Sequence, residues 1–452
     1  MQNNQPRENK MGVMPVGRLV ITMALPMIIS MLIQALYNVV DSMFVSRIHE
    51  DALAAVSLAF PVQNLLIGLC TGTGVGVNAL LSRSLGQKNY EEANRAAHNG
   101  IFLALLGAIA FFLFGAFGAR VFFAAQTQSA AIVEYGAEYL SLVTMLSFGL
   151  FGEIILERLL QSTGKTFYTM LTQGTGAILN IIFDPIFIFG YFGFPAMGVR
   201  GAALATVLGQ IVAMLLGLFF NLKFNREISL NMRGFRPSWR VIKTIYAVGL
   251  PSIVMMLVGS VMNYGMNQIL LGFTSTATAV FGVYFKLQSF VFMPVFGLNN
   301  GMVPIVAYNY GARNKERILR TIRFSIALAT GVMLAGLAVF QLLPRQLLGL
   351  FNPTEELMRI GVPALRIISL SFVFAGFCVV SGSVFQALGD GMYSLGVSVA
   401  RQLLVLLPVA WLMSRTGNID LVWLSFPIAE LMSVAVSAFF LVRIYNKRIR
   451  EL

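Results

Sequence analysis

Long apolar stretches recur along the whole chain and set its expected fold class. Each is continuous over about 20 residues, the length that a helix needs to cross the hydrocarbon core of a bilayer. The strands of a membrane barrel would alternate apolar and polar positions, so the pattern predicts transmembrane helices. Twelve spans are predicted, with approximate bounds 17–43, 53–80, 97–118, 132–155, 165–190, 195–220, 245–272, 278–305, 321–343, 357–385, 391–413 and 420–442.

The composition agrees with this pattern. Hydrophobic residues make up 57% of the 452 residues and charged residues only 11%, whereas about 25% of the residues of a typical soluble protein are charged. A water-exposed surface cannot be built from so few charges. We therefore expect an all-α polytopic membrane protein.

The positive charges are distributed unevenly between the two sides of the predicted membrane. Of the 32 Lys and Arg residues, 23 lie at the two termini or in the loops that follow even-numbered spans. This positive-inside bias predicts that both termini are cytoplasmic. The net charge of +13 is accounted for by orientation signals and contacts with membrane lipids, and we expect no nucleic-acid partner.

The chain also aligns with itself when it is displaced so that Pro26 falls on Pro251. We call this displacement the repeat shift. It places LGQKNYEEANR at 85–95 on YGARNKERILR at 310–320. Each half carries six spans, so the two repeats have the same orientation, as in many transporters. The predicted organisation is an N-terminal six-helix lobe, a polar cytoplasmic linker and a C-terminal six-helix lobe, at 1–220, 221–243 and 244–452.

Acidic residues stand inside two of the predicted spans. An ionisable side chain at the centre of a membrane helix costs roughly 2.5–3.5 kcal/mol, so each one needs a reason. Asp41 lies 23 residues after Arg18 in span 1, and Asp184 lies 19 residues after Lys165 in span 5. Both carboxylates therefore reach a similar depth in the outer half of the membrane.

Further polar residues share the helix face of each acid, because spacings of three, four and seven residues bring side chains to one side of a helix. They are Gln34, Tyr37 and Asn38 in span 1, and Gln173 and Asn180 in span 5. Two nearby carboxylates with amide and hydroxyl oxygens would bind a proton or a hard monovalent cation. The alternative is that the span 1 acid is interfacial, hydrated and inert.

The repeat provides an internal comparison for these acids. The repeat shift places Asp41 on Met266 and Asp184 on Val409. Features of the scaffold are shared by the two halves, whereas the acids are confined to the first. This asymmetry favours a functional role for them.

Other polar residues within the spans have two interpretations each. Lys286, Arg401 and Glu430 in the second half form either a buried ion pair, between the acid and one of the bases, or a substrate or coupling site. Pro26 removes a backbone hydrogen bond from span 1, which gives either a structural bend or a gating bend.

Two acids, Glu153 and Glu157, precede Arg158 at the predicted cytoplasmic end of span 4. Solvated or paired groups are usual at such a position.

We find neither a catalytic constellation nor a cofactor motif in the sequence. A glycine-rich loop followed by a Lys-Ser or Lys-Thr pair, which would bind a nucleotide, is absent. We expect a protein that is not an enzyme, with no cofactor and no metal site other than one for Na+, and with transport driven by an ion gradient.

The chain resembles the multidrug and toxic compound extrusion (MATE) family over essentially its whole length. The motifs that carry the resemblance are ALPMIISMLIQALYNVVDSMFV at the start, LGQKNYEEANRA after span 2, and LNIIFDPIFIFG followed by MGVRGAALAT. Span 7 contains no acid, a pattern similar to the DinF-like branch, in which the aspartates of the N-terminal lobe carry the coupling.

The resemblance implies a fold of two six-helix lobes with a V-shaped central cavity. It also implies export of cationic or amphipathic small molecules from the cell, in exchange for H+ or Na+, through a protein of the plasma or inner membrane that confers antibiotic resistance. Asp41, Asn180, Asp184 and Thr206 match the cation site of the family. Gln34, Tyr37 and Asn38 match positions that line the adjacent cavity, and we group Gln173 with them.

One rival function stays open, a flippase for lipid-linked precursors with the same lobe plan. Such a protein would need a strongly basic cavity for pyrophosphate, whereas Lys286 and Arg401 are the only basic residues deep in the spans. A cationic substrate fits the sequence better, and nothing in it demands more than a monomer.

Overall fold

The computed structural model describes residues 8–45, 47, 48 and 50–452. Every regular element within these residues is helical. The helices of the first repeat are α1 (Lys10–Val13), α2 (Val16–Val45), α3 (Glu50–Gly86), α4 (Tyr90–Phe117), α5 (Ala119–Ala124), α6 (Ala130–Met145), α7 (Phe148–Ser162), α8 (Thr166–Phe189) and α9 (Val199–Phe224).

The second repeat, which is described throughout, contains α-helices and two π-helical segments that follow α16 and α19. The helices are α10 (Trp239–Leu271), α11 (Ser275–Gly311), α12 (Lys315–Leu342), α13 (Pro344–Gly349), α14 (Glu355–Ser369), α15 (Phe372–Ala387), α16 (Gly391–Val399), α17 (Leu407–Ser414), α18 (Ile419–Trp423) and α19 (Ser425–Ile444). The π-helical segments are Ala400–Leu406 and Tyr445–Ile449.

The twelve predicted spans are all present in the described part of the chain, but two of them are not continuous helices. Ten helical segments among the described residues are individually long and apolar enough to cross a membrane, and two bent pairs complete the set. Span 4 is broken between α6 and α7 with a bend of 41°, and span 10 is broken between α14 and α15 with a bend of 52°. The sequence predicted one unbroken helix in each place, because hydropathy does not register a local change of helix direction.

The internal repeat is confirmed by the positions of the helices. The repeat shift carries both ends of α3 onto those of α11 and both ends of α4 onto those of α12, and it carries the start of α5 onto the start of α13. The two breaks also correspond, since the bent pairs start at Ala130 and Glu355. The two halves therefore share one backbone plan.

Local chemistry in the repeated loop explains why α4 and α12 begin where they do. Asn89 and Asn314 cap the two helices, each accepting a hydrogen bond on its side-chain oxygen from the backbone N–H three residues ahead, at 3.0 and 3.1 Å. Lys88 and Arg313, which precede these caps, have positive φ values of 57° and 56°. The caps satisfy donors that a helix start leaves without a partner.

Several helices extend beyond their apolar runs. Helix α3 continues to Gly86 and α11 to Gly311, about two turns past the predicted ends at 80 and 305. Hydrogen bonding along a helix does not stop at the membrane surface, and the polar residues Ser82, Ser84 and Asn309 in these extensions are buried, with hydrogen-bond acceptors inside the protein.

The chain divides into two compact units. One unit comprises Met1–Lys10 and Ile29–Ile253, and the other comprises Met11–Ile28 and Val254–Leu452. The division falls two residues after Pro26 in α2 and two residues after Pro251 in α10. Helices α2 and α10 therefore each change unit just beyond the proline, where the backbone lacks one N–H donor. The lobe boundaries given above, at 220 and 244, stay predictions about the repeat.

Within the first unit, α3 and the start of α10 pack with their backbones nearly touching. A Cβ atom added at Gly76 would lie 2.1 Å from the backbone oxygen of Ile245. A contact of that length is far inside van der Waals distance, so only glycine fits there without a shift of the backbone.

This packing predicts that Gly76→Ala destabilises the protein by about 1–3 kcal/mol, the usual cost of overpacking a tight contact. The measurement is the fraction of detergent-solubilised protein that stays monodisperse after heating to a series of temperatures. Gly331→Ala in α12 is the matched control, because nothing lies within 4 Å of its added Cβ, and it should leave stability unchanged or slightly raised. Equal stability of the two variants would contradict the close packing of α3 on α10.

Candidate functional site

The two acids predicted to bind a cation lie next to each other in the structure. Asp41 is near the end of α2 and Asp184 is in the last turns of α8. Asp184 is fully buried, Asp41 is half-buried, and their carboxyl groups are within hydrogen-bond reach of one another. We call these two residues the first acid pair. Asp41 is therefore not an isolated carboxyl group, and its role in cation binding stays a prediction.

Asn180 links the first acid pair to α9. Its amide nitrogen lies 2.7 Å from Oδ2 of Asp184, and its amide oxygen lies 3.0 Å from both the hydroxyl oxygen and the backbone nitrogen of Thr206. This orientation of the amide is the one in which the nitrogen faces an acceptor and the oxygen faces donors. Asn180 thus donates to the buried carboxylate and is itself held in place by Thr206.

A pair of tyrosines completes the surroundings of the acids. The hydroxyl of Tyr37, one turn before Asp41 on α2, is within hydrogen-bond reach of the Thr206 side chain. Tyr139, buried on α6, accepts a hydrogen bond of 2.8 Å from Nε2 of Gln63 and lies close enough to both acids to interact electrostatically. Tyr139 could not be identified from the sequence, because only the tertiary fold brings α6 to this place.

The contact between the two carboxyl groups defines what the site can do. Two ionised carboxylates only accept hydrogen bonds, so a direct contact between them requires a proton or a cation to hold them together. Among the described residues, no donor reaches Oδ1 of Asp184. The pair therefore presents an oxygen that is free to take up a positive charge.

Small residues let the site form at the contact between α8 and α9. A Cβ added at Gly209 would lie 2.7 Å from the carbonyl oxygen of Gly176, one turn from Asn180. Because the two backbones approach so closely, the short side chains of Asn180 and Thr206 can meet between them. Larger residues at these glycines would separate the helices and break the amide's bond to α9.

The remaining residues predicted to line a cavity do not all join this site. Gln34 and Asn38 are exposed on α2. Gln173 lies about three turns before Asp184 on α8, where its side chain accepts a hydrogen bond from Ser30 and donates one of 2.8 Å to Glu157. Gln173 thus belongs to a different polar cluster from the first acid pair.

The polar residues of the second repeat make an ion pair instead of a pair of acids. Nη1 of Arg401 lies 3.1 Å from Oε2 of Glu430. Glu430 is buried, with 5% of its surface exposed. Lys286 is exposed on α11, and within the described residues it makes no ion pair. Of the two partners proposed for Glu430, the structure therefore selects Arg401.

The repeat explains why the second half cannot build the same site. The repeat shift places Asn180 and Asp184 on Val405 and Val409, and Thr206 on Leu431. Val405 lies in the π-helical segment Ala400–Leu406, whereas the equivalent part of α8 is regular. The acid and amide that α8 contributes in the first repeat therefore have no counterpart in the second.

Comparison with known proteins assigns the chain to a family. The MatE family model matches residues 26–186 and 251–412, which fall at corresponding places in the two repeats. The chain belongs to the MatE family. The family resemblance seen in the motifs is thereby confirmed, whereas the assignment to the DinF-like branch stays a prediction. This MatE protein is a multi-pass membrane protein.

Curated relatives and solved structures agree with that assignment. The multidrug export protein MepA of Staphylococcus aureus (strain MSSA476) is 26% identical over 442 residues, covering 96% of this chain and 95% of MepA. A structure described as the outward-facing conformation of a multidrug resistance MATE family transporter of the MOP superfamily matches with a TM-score of 0.93 at 26% identity, over 99% of this chain and 100% of that chain.

A second solved structure belongs to a MOP superfamily transporter from Pyrococcus furiosus. It matches with a TM-score of 0.90 at 26% identity, over 99% of both chains. That work describes a binding pocket of reverse polarity and suggests a different function for that protein.

The ion pair of the second repeat predicts a pattern of stabilities. Glu430→Gln leaves Arg401 with a charge that lacks its partner, so it should lower stability by up to about 3 kcal/mol. Arg401→Gln should act similarly, and the double substitution should cost less than the sum of the two single ones. Thermal denaturation of the detergent-solubilised variants measures these differences. Strictly additive effects would show that the two side chains do not stabilise each other.

Proposed function

We propose that this MatE protein is a secondary active multidrug exporter. It carries cationic or amphipathic small molecules out of the cell in exchange for H+ or Na+, by alternating access. The observation that carries the proposal is the first acid pair, a fully buried carboxylate in contact with a second one inside membrane-spanning helices. Such a pair is costly to keep in a membrane unless it binds and releases a positive charge.

The direct contact between the carboxyl groups favours a proton over Na+ as the coupling ion. A proton is shared between two acceptor oxygens at hydrogen-bond distance, whereas Na+ would have to separate the two groups and recruit several further oxygens. Asn180, Thr206 and Tyr37 are the neighbouring groups that would supply them. Na+ is the alternative coupling ion, and the transport measurement below shows which of the two ions drives export.

The sign of the charges supports a cationic substrate. The first repeat places acids in its spans, and in the second repeat Arg401 is neutralised by Glu430. Lys286 is then the one basic residue deep in the predicted spans whose charge is not neutralised. A single positive charge is too little to hold a pyrophosphate group. The MepA relatives are named as multidrug export proteins, which supports the same substrate class and a contribution to antibiotic resistance. A lipid-precursor flippase is correspondingly disfavoured.

A transport cycle follows from this charge balance. Ion binding neutralises the first acid pair, which weakens the attraction for a cationic substrate and allows its release on the outer side. The ion-loaded protein then returns to the inward-open state and releases the ion to the cytoplasm. Pro26 allows α2 to change shape as the pair is neutralised. We propose that the protein acts as a monomer among membrane lipids, with both termini cytoplasmic and without cofactor or nucleic acid.

The proposal predicts that Asp184→Asn slows ion-driven export by at least about tenfold, in the range typical of energetic coupling between two sites. The measurement is efflux of a cationic dye from proteoliposomes, driven in separate experiments by a pH gradient and by a Na+ gradient. Asp420→Asn is the matched control, because it makes the same chemical change in α18, a helix of the other compact unit. Export by the control should equal that of the wild type.

Each outcome has a distinct meaning. Export under only one gradient identifies the coupling ion. Undiminished export by Asp184→Asn would make the first acid pair structural and would remove the basis of the proposal. Absence of export by the wild type under both gradients would return the flippase function to consideration.

A further inference from the structure

A second pair of acids lies on α7, remote from the first acid pair. Glu157 is 2% exposed, and Glu153, one turn earlier, is half-buried. We call these residues the second acid pair. The sequence suggested solvated or paired groups at this end of span 4, yet Glu157 is not solvated. The break between α6 and α7 gives α7 its own direction, and α7 packs against α3, α4, α8 and α9.

Glu157 is held by specific hydrogen bonds from α8. The hydroxyl of Thr172 donates to Oε1 of Glu157 at 2.9 Å, and Nε2 of Gln173 donates to Oε2 at 2.8 Å. The oxygen of the Gln173 amide is in turn bound by the hydroxyl of Ser30 on α2. Each carboxylate oxygen of Glu157 therefore has a donor, and the amide that serves it has a fixed orientation.

The Thr172 hydroxyl has a second acceptor within reach. Its oxygen lies 2.7 Å from the backbone carbonyl oxygen of Thr169 as well as 2.9 Å from Oε1 of Glu157. A hydroxyl has one proton and donates to one acceptor at a time. When Glu157 is ionised, Thr172 donates to it. When Glu157 is protonated, Thr172 can donate to Thr169 and accept the proton of the acid.

This arrangement lets Glu157 gain or lose a proton without leaving a buried polar atom unsatisfied. A buried group that loses its hydrogen-bond partner costs about 1–3 kcal/mol, so most buried carboxylates favour one state strongly. Here Thr169, Thr172 and Gln173 supply the hydrogen bonds that both the ionised and the protonated form of Glu157 need.

Among the described residues, the second acid pair has one charged and one neutral titratable neighbour. Arg158 on α7 carries a positive charge that acts on Glu157, and Cys70 on α3 is a thiol close enough to Glu153 to interact with it. From α9, Asn221 donates to the carbonyl of Leu156 at 2.9 Å, and the polar groups that face the pair from α8 are uncharged. Glu153 and Glu157 also repel each other, which discourages ionisation of both at once.

The two acid pairs are connected through one face of α8, which carries both Gln173 and Asp184. Gln173, which binds Glu157, precedes Asp184 by 11 residues, or roughly 16 Å along the helix axis. With both termini cytoplasmic, the second acid pair lies on the cytoplasmic side of the first. A proton that enters at the first pair and leaves to the cytoplasm would pass this level of the membrane.

We propose that Glu157 is a second proton-binding site, which takes up and releases a proton during each transport cycle. This inference rests on the exporter function proposed above. The step is a simple protonation: Oε1 of Glu157 accepts one proton, and the Thr172 hydroxyl turns to the Thr169 carbonyl. Release reverses both movements, and the proton leaves toward the cytoplasm.

The test is an infrared titration of the purified full-length protein in lipid, from mildly acidic to mildly alkaline pH. Protonated carboxyl groups have a C=O stretch that disappears on ionisation, so the difference spectrum reports each acid that titrates. Glu157→Gln should remove one component that Asp184→Asn leaves in place. In proteoliposomes, Glu157→Gln should lower export driven by a pH gradient by about tenfold, while exchange of labelled for unlabelled dye without a gradient persists.

A second variant tests the proposal in case Glu157→Gln does not fold. Thr172→Val keeps the acid and the shape of the side chain but removes the turning hydroxyl, so the pH dependence of export should shift. Thr166→Val is its matched control: Thr166 is also buried on α8, and its hydroxyl has no hydrogen-bond partner among the described residues. The control should retain the wild-type pH profile.

The results separate this inference from the exporter function. If the wild type exports under a pH gradient, and both Glu157→Gln and Thr172→Val match it in rate and pH profile, the second proton site is excluded and the exporter function stands. An unchanged infrared spectrum in Glu157→Gln would equally show that Glu157 stays in one state. Lack of ion-driven export by the wild type would instead contradict the exporter function itself.

Discussion

The contact between Asp41 and Asp184 is the interaction on which the rest of the site depends. Two carboxyl groups held together within membrane-spanning helices cannot both be ionised without a positive charge between them. The protein supports this contact with neutral donors, since Asn180 donates to Asp184 and is itself held by Thr206. Under the proposed function a mobile ion completes the charge balance, which is the property that an ion-coupled carrier needs.

Duplication supplied the scaffold, and divergence between the repeats supplied the chemistry. Helix bounds, caps and even the break in the fourth span recur at the repeat shift. Where the first repeat has an acid and an amide on α8, the second has two valines and, nearby, the ion pair of Arg401 with Glu430. An internally neutralised pair is suited to hold helices together, and an incompletely neutralised pair is suited to exchange ions.

Helix α8 connects the two acidic clusters of the first repeat. One of its faces carries Asn180 and Asp184 toward its end and Gln173 nearer its start, and Thr172 is the neighbour of Gln173 in the chain. Close packing against α9, through Gly176 and Gly209, keeps this face in register with its partners. Packed protein interiors transmit strain. A small displacement of α8 on protonation of one acid pair can therefore change the surroundings of the other acid pair.

The sequence by itself determined the membrane class, the twelve spans, the repeat and the candidate acids, because hydropathy, self-alignment and the cost of a buried charge are local or periodic properties. It missed Tyr139, it left open whether Glu157 is solvated or paired, and it treated spans 4 and 10 as unbroken. Whether Glu430 pairs with Arg401 or Lys286, and whether Asp41 is isolated, was also decided by the tertiary structure. In each case the deciding contact joins residues far apart in the chain, and only the packing of helices determines which polar side chains meet.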